Sequence, residues 1–159
     1  MRALFSKNNL SLEKQNNEWK LRNKIRGFDI SSKFFEMVDS DQILVNHEYK
    51  GVLKIKVDKG LTKVLEVTKD TSVEKGITSS LINYNENVFY AYKEGVYKYN
   101  NEKQTFLKDT LLSNLVDDAE YSTGKLVYDA RTSKLWGFSS KNINFIAPGK
   151  LSSKPKVSS

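Results

Sequence analysis

Short runs of β-favouring residues, split by polar turns, recur along the chain. In the segment 51–57, "GVLKIKV", Leu53, Ile55 and Val57 alternate with Val52, Lys54 and Lys56. A period of two marks a β-strand with two unlike faces. Anchored on the first apolar residue after each turn, the pattern restarts at Leu10, Val52, Val96 and Ile143, with spacings of 42, 44 and 47 residues. "HEYKGV" and "YKEGVY" are then the same turn in two successive units. Gly51 and Gly95 fall where a tight hairpin needs positive φ, and Lys141-Asn142 occupies the equivalent place in the next copy.

The rest of each unit agrees. A further strand candidate precedes the hairpin at 34–38, 80–84 and 125–129. Another follows at 19–21, 63–67 and 105–107. Four short antiparallel strands in about 40–50 residues is the blade of a β-propeller. Val, Ile, Phe, Tyr and Trp concentrate in these runs, as pleated surfaces prefer. In "NVFYAY" both faces are partly apolar, which fits sheets covered on both sides. Trp19 and Trp136 are expected in the core between blades. "DTLLSNLVDD", residues 109–118, has room for one helical turn at a connection between blades.

The expected fold is therefore all-β. It is a partial β-propeller of about three and a half to four blades, each of four antiparallel strands, in a single domain over 1–159. Blade remnants fall at 1–21 and blades at about 34–67, 80–107 and 125–159, the last strand being weak because "LSSKPKV" contains Pro155. A ring of roughly 4–8 blades is needed to close. An incomplete ring leaves edges and apolar faces open, so the chain reads as a piece of a longer protein, with self-assembly as the alternative.

Charge changes this picture little. The formal net charge is +7, from 22 Lys but only 4 Arg. Arg is the usual reader of phosphates and base edges, so scattered Lys reads as a solvated surface and no nucleic-acid binding is expected. Cysteine is absent and His47 is the single histidine, so no thiolate, multi-histidine metal site or cofactor is expected. No apolar run reaches the ~20 residues of a membrane span. The N-terminus lacks the apolar stretch of a signal peptide.

Several residues carry the resemblance to a known family: Trp19, Gly27-Phe28, the "SSKFFE" of Ser31 to Glu36, "NHEYKGV" from Asn46 to Val52, and "EGVYKYN" from Glu94 to Asn100. The chain resembles the sensor propellers of two-component-type regulators of the Bacteroidetes, those with a triple-tyrosine domain. The Gly-Leu pair common in those repeats is Gly51-Val52 and Gly95-Val96 here and is lost in the third copy. The resemblance implies an extracytoplasmic, periplasmic sensor propeller. A triple-tyrosine domain, a transmembrane helix, and a histidine kinase or helix-turn-helix output would follow it. The partners implied are the remaining blades and that downstream domain.

Propellers bind on the face formed by turns between second and third strands and by connections between blades. That face would hold His47, Glu48, Tyr49, Lys50, Tyr92 and Lys93, the candidate ligand-binding residues, with Glu94 and residues 139–142. The connections 26–31, 69–79 and 109–117 would complete it. Aromatics beside polar groups stack on flat ligands and bond their hydroxyls, so a small glycan-like ligand fits. Against this, Tyr49 and Tyr92 could simply cover the turns, and His47 could be a satisfied strand-end residue. Asp117, Asp118 and Glu120 read as a charged loop and "STGK" at 122–125 as a turn.

The leading expectation is a non-catalytic ligand-sensing module of a membrane-spanning regulator. A carbohydrate-active enzyme would need paired carboxylates, with Glu48, Glu94 and Asp129 as candidates. A structural, protein-binding propeller is the third reading.

Overall fold

The computed structural model of the chain describes residues 10–32, 34–114, 126–138, 143–146 and 156–158. These hold an initial hairpin and three four-stranded antiparallel sheets. The hairpin is β1 (Leu10–Gln15) with β2 (Glu18–Lys24). The first sheet is β3 (Phe34–Met37), β4 (Gln42–His47), β5 (Gly51–Val57) and β6 (Val64–Lys69). The second is β7 (Ser80–Tyr84), β8 (Asn87–Tyr92), β9 (Gly95–Asn100) and β10 (Thr105–Asp109). The third is β11 (Leu126–Asp129), β12 (Lys134–Phe138), β13 (Ile143–Ile146) and β14 (Lys156–Ser158). Within every sheet each strand pairs with its neighbour in sequence.

The strand period reappears as a two-sided burial pattern. Ile43, Val45, Leu53, Ile55 and Val57 point to one side of the first sheet, where Ile25, Phe28 and Leu61 cover them. Leu44 and Val52 point to the other side and meet Leu81, Val88, Tyr90, Tyr92, Tyr99 and Phe106 of the second sheet. The far side of the second sheet buries Phe89, Ala91 and Val96 against Leu126, Leu135 and Ile146 of the third. Three apolar layers thus alternate with the sheets. Fully burying one such side chain is worth roughly 1.5–3 kcal/mol, so the middle strands, covered on both faces, carry most of the stability.

The sheets also meet along their first strands, β3 against β7 and β7 against β11. Ring contacts mark the same alignment: Tyr84 and Tyr128, each near the end of its first strand, lie 5.2 Å apart. The outermost strand β6 is largely uncovered, with Leu65 and Val67 exposed.

Turn chemistry sets the register. Asn16-Asn17 and Asn85-Glu86 have positive φ at both central residues, the type I′ geometry that matches strand twist. Gly51 and Gly95, at the starts of β5 and β9, have φ of 90° and 127°. The helical turn expected within 109–118 is α1 (Thr110–Ser113), whose first amides are capped when Asp109 accepts from the Leu112 amide at 2.8 Å.

Two expectations change. Trp19 is 43% exposed, so it is not interblade core: among the described residues nothing packs over the outer part of the two-stranded hairpin. Trp136 is half-buried on the outward face of the third sheet, in tilted contact with the Phe145 ring at 5.0 Å. The strand after Pro155 does form, with β14 pairing β13 from Ile143–Ser158 to Phe145–Lys156. Residues 1–9, the Asn142 turn, the acidic loop with Asp117, Asp118 and Glu120, and "STGK" lie outside the described residues.

Candidate functional site

The β4–β5 turn starts from His47. Its Nδ1 accepts from the amides of Tyr49 at 3.2 Å and Lys50 at 3.3 Å. The imidazole therefore closes the turn, the satisfied role open to a strand-end histidine. With Gly51 completing the reversal, Tyr49 is thrown outward and is 66% exposed. It keeps an edge-on contact with the His47 ring at 6.2 Å.

The connection from β6 to β7, residues 70–79, runs alongside this turn and is tied at both ends. At its start the Asp70 amide donates to the Val52 carbonyl at 2.9 Å. Asp70 Oδ1 accepts from the Ser72 amide at 2.8 Å, and Ser72 Oγ in turn accepts from the Phe106 amide at 2.8 Å. At its end the buried Asn46 donates to the Ser79 carbonyl at 3.1 Å and to its hydroxyl at 3.0 Å. In between, the Tyr90 hydroxyl donates to the Glu74 carbonyl at 2.9 Å. At Gly76 an added Cβ would lie 3.1 Å from Tyr92 Cβ, so the backbone passes close beside that residue.

The β8–β9 turn supplies the third wall. Tyr92 is buried and donates to Glu94 Oε2 at 3.0 Å. Burial, reinforced by Tyr97 and Glu94, pushes the Tyr92 hydroxyl well above the ordinary tyrosine value, so it stays a protonated donor.

Together the three segments enclose an open groove of about 420 Å³, lined by Glu48, Tyr49, Lys75, Gly76, Ile77, Thr78, Tyr92 and Lys93. Four of the six candidate ligand-binding residues are thereby brought together: Glu48, Tyr49, Tyr92 and Lys93. His47 and Lys50 are not in the lining; they shape the turn behind it. The two tyrosines divide: Tyr92 is floor and core, Tyr49 is rim. The contribution of Lys75 to Thr78 is finer than the sequence reading, which took 69–79 only as one connection. The available signal was Ile77, an apolar residue in a polar linker; it is 63% exposed.

The other candidate segments lie elsewhere. Within 26–31, the Arg26 backbone bridges to Thr62 and Val64, and Phe28 is core. The 109–117 connection meets the second sheet where the Ser113 hydroxyl accepts from the Val96 amide at 3.0 Å and donates to its carbonyl at 3.2 Å. Asp129 lies at the β11–β12 turn, bonded to the Arg131 amide and the Thr132 hydroxyl. A turn between first and second strands sits at the opposite end of a meander from a turn between second and third. Glu48 and Glu94 are on the latter, so the three carboxylates do not converge.

No family model matches the chain, and neither does any curated protein. Its fold is similar to a crystal structure of the extracellular domain of a putative one-component system from B. thetaiotaomicron. The TM-score is 0.56 at 13% identity, over 94% of this chain and 22% of the other. This chain thus spans about a fifth of the length of that solved chain, and the likeness is one of fold.

Proposed function

We propose that the chain is part of a sensor β-propeller, the extracytoplasmic ligand-binding portion of a longer membrane-spanning regulator. The observation that carries this is the groove. Three polar segments from two successive sheets converge on one edge, around an exposed tyrosine and an exposed isoleucine beside charged groups. Function on such scaffolds sits in loops held by rigid sheets.

Three further observations support the reading. The first strands of successive sheets adjoin, as they do around a propeller axis. The similar solved structure is the extracellular domain of a putative one-component system. The outward face of the third sheet carries Val127, Trp136, Ile143 and Phe145 in cross-strand register, with Val127 and Ile143 exposed. That face resembles the buried ones, and further blades of the parent protein would cover it. A triple-tyrosine domain and a membrane span would then relay the signal. No helix among the described residues is long and apolar enough to cross a membrane.

In this role the module is non-catalytic: a ligand in the groove alters the packing of adjoining blades and shifts an output equilibrium. A small glycan is the ligand class that Tyr49 stacking with Glu48, Lys75, Lys93 and Thr78 hydrogen bonding would suit. The test is calorimetry against a panel of oligosaccharides, repeated with Tyr49→Ala. Binding that weakens about tenfold or more in the variant supports the groove, since losing a stacked ring costs on the order of 1–2 kcal/mol. Binding indifferent to both Tyr49→Ala and Ile77→Ala would place the ligand elsewhere and refute the assignment.

A further inference from the structure

Resting on the groove's role as the ligand site, we propose that protonation of His47 releases the turn that forms one groove wall, so that acid disfavours the bound state. The imidazole Nδ1 accepts from two amides, those of Tyr49 at 3.2 Å and Lys50 at 3.3 Å. Only a ring with a free lone pair at Nδ1 does this, so the proton of the neutral ring sits on Nε2. An imidazolium carries N–H on both nitrogens and would meet both amides donor to donor. The turn over 47–51 is therefore built around a neutral ring.

That turn reaches the groove by two routes. It carries Glu48 and Tyr49 of the lining, and the Tyr49 ring meets the His47 ring edge-on at 6.2 Å. It also rests on the backbone of the β6–β7 connection. A Cβ on Gly51, the residue paired with His47, would lie 3.6 Å from Lys75 Cβ and 3.9 Å from Lys75 Cα. A change of turn is thus passed to the rim and to residues 75–78. The charged groups about the imidazole are Glu48 and Lys50 in the turn, Lys69 of β6, whose Cε is 3.5 Å from the same Gly51 Cβ position, and Lys75. On the β3 side Phe34 pairs with Asn46, and Lys33 lies outside the described residues. Among the described residues no carboxylate lies within ion-pair distance of the ring. By linkage, the proton and a ligand that needs the closed turn weaken each other.

The experiment is an NMR titration of the 159-residue chain, with no ligand added, from about pH 8 to about pH 5, the span in which an imidazole changes charge. His47 is the single histidine, so its ring signals are read directly. At the upper end the ring nitrogen shifts should report the Nε2–H tautomer. The amides of Tyr49 and Lys50, and those of Ile77 and Thr78 across the groove, should then move with the same midpoint as the His47 ring. His47→Asn keeps a side-chain oxygen that accepts the same amides, as in an Asx turn, and cannot be protonated; the shared movement should vanish. His47→Ala, with its fold verified by a melting curve, should show the acid-form shifts throughout. A ring that stays neutral over the whole range, or titrates while Tyr49 and Lys50 stay still, overturns the proposal. A turn that follows the ring while Ile77 and Thr78 do not overturns the coupling to the groove and leaves the ligand-site reading intact. Movement that persists in His47→Asn assigns it to another group and also overturns the proposal. The titration needs no sugar, so a failed oligosaccharide panel removes the ligand class and leaves this result standing.

Discussion

The Lys54 ammonium nitrogen sits 3.3 Å from Oδ2 of Asp70, a carboxylate only 1% exposed. The pair joins β5 to the start of the connection that walls the groove. Lys54 also donates to the Gln104 carbonyl at 3.0 Å, reaching the β9–β10 turn of the second sheet. Removing the cation leaves the buried carboxylate without its counter-ion, held only by the Ser72 bonds to Oδ1. Lys54→Met is expected to destabilise the fold by about 3 kcal/mol in denaturant melts. Lys54→Met with Asp70→Asn recovers part of that loss. A single variant as stable as the parent would show that the pair is replaceable.

Gly95 and Gly51 are expected to differ in their tolerance of alanine. Both have positive φ, but a Cβ on Gly95 would lie 2.7 Å from Ser113 Oγ, whereas on Gly51 its nearest neighbour is 3.5 Å away. Gly51→Ala pays backbone strain, on the order of 1 kcal/mol. Gly95→Ala pays this and displaces the Ser113 hydroxyl that bonds Val96. Thermal unfolding should rank Gly95→Ala clearly below Gly51→Ala; the reverse order contradicts the clash.

Asn46 holds the end of the groove wall through Ser79, from a position 2% exposed. Asn46→Ala leaves the Ser79 carbonyl short of a donor, at a cost of about 1–3 kcal/mol. The local signature is faster amide exchange across 75–79 than across β4 itself. Uniform acceleration across both would mean global loosening instead.

Acid should weaken the β5–β6 turn at the low end of the pH range. Asp58 accepts from the Lys63 amide at 2.8 Å, and from the amide and hydroxyl of Thr62 at 2.7 and 2.8 Å. These bonds, led by the Lys63 amide, hold its carboxyl at about 2, below the ordinary 3.8. A depressed folded value contributes stability that is complete above 3.8 and lost as pH falls through about 2. Asp58→Asn should flatten the stability profile in that window, and a carboxyl-resolved NMR titration should place the Asp58 midpoint near its lower edge. An Asp58 midpoint at the ordinary value would contradict these bonds.

At the alkaline end the sign reverses. Burial, aided by the Asp70 charge, raises the Tyr99 hydroxyl to about 12 from the ordinary 10. The neutral phenol in the apolar layer stabilises fully below 10, and that contribution fades as pH rises through about 12. Tyr99→Phe, which also loses the bond from the Tyr99 hydroxyl to Gln104 Oε1 at 3.0 Å, should lower stability at neutral pH. It should also soften the decline above pH 10. Tyrosinate absorbance follows the ionisation directly.

The strands were legible because their determinants are local. Val52 to Val57 alternate because adjacent residues on a strand face opposite ways, and Gly51 and Gly95 mark turns because positive φ is a one-residue property. Burial on both faces was also readable from "NVFYAY", since apolar residues at consecutive positions make sense only between two sheets. Trp19 misled because an indole looks alike in a core and on a hairpin that leaves it 43% exposed.

The groove itself was a tertiary decision. Glu48, Tyr49, Tyr92 and Lys93 were nameable from turn position, yet nothing local distinguishes Tyr92, whose ring is buried and whose hydroxyl bonds Glu94, from Tyr49, which is mostly exposed. Lys75 to Thr78 entered the lining only because Asn46 bonds Ser79 across 33 residues and Asp70 anchors the other end of the same connection. Strand period and turn conformation are set by neighbours along the chain. A cavity is set by which distant backbones pack side by side, and that follows from the apolar layers joining whole sheets.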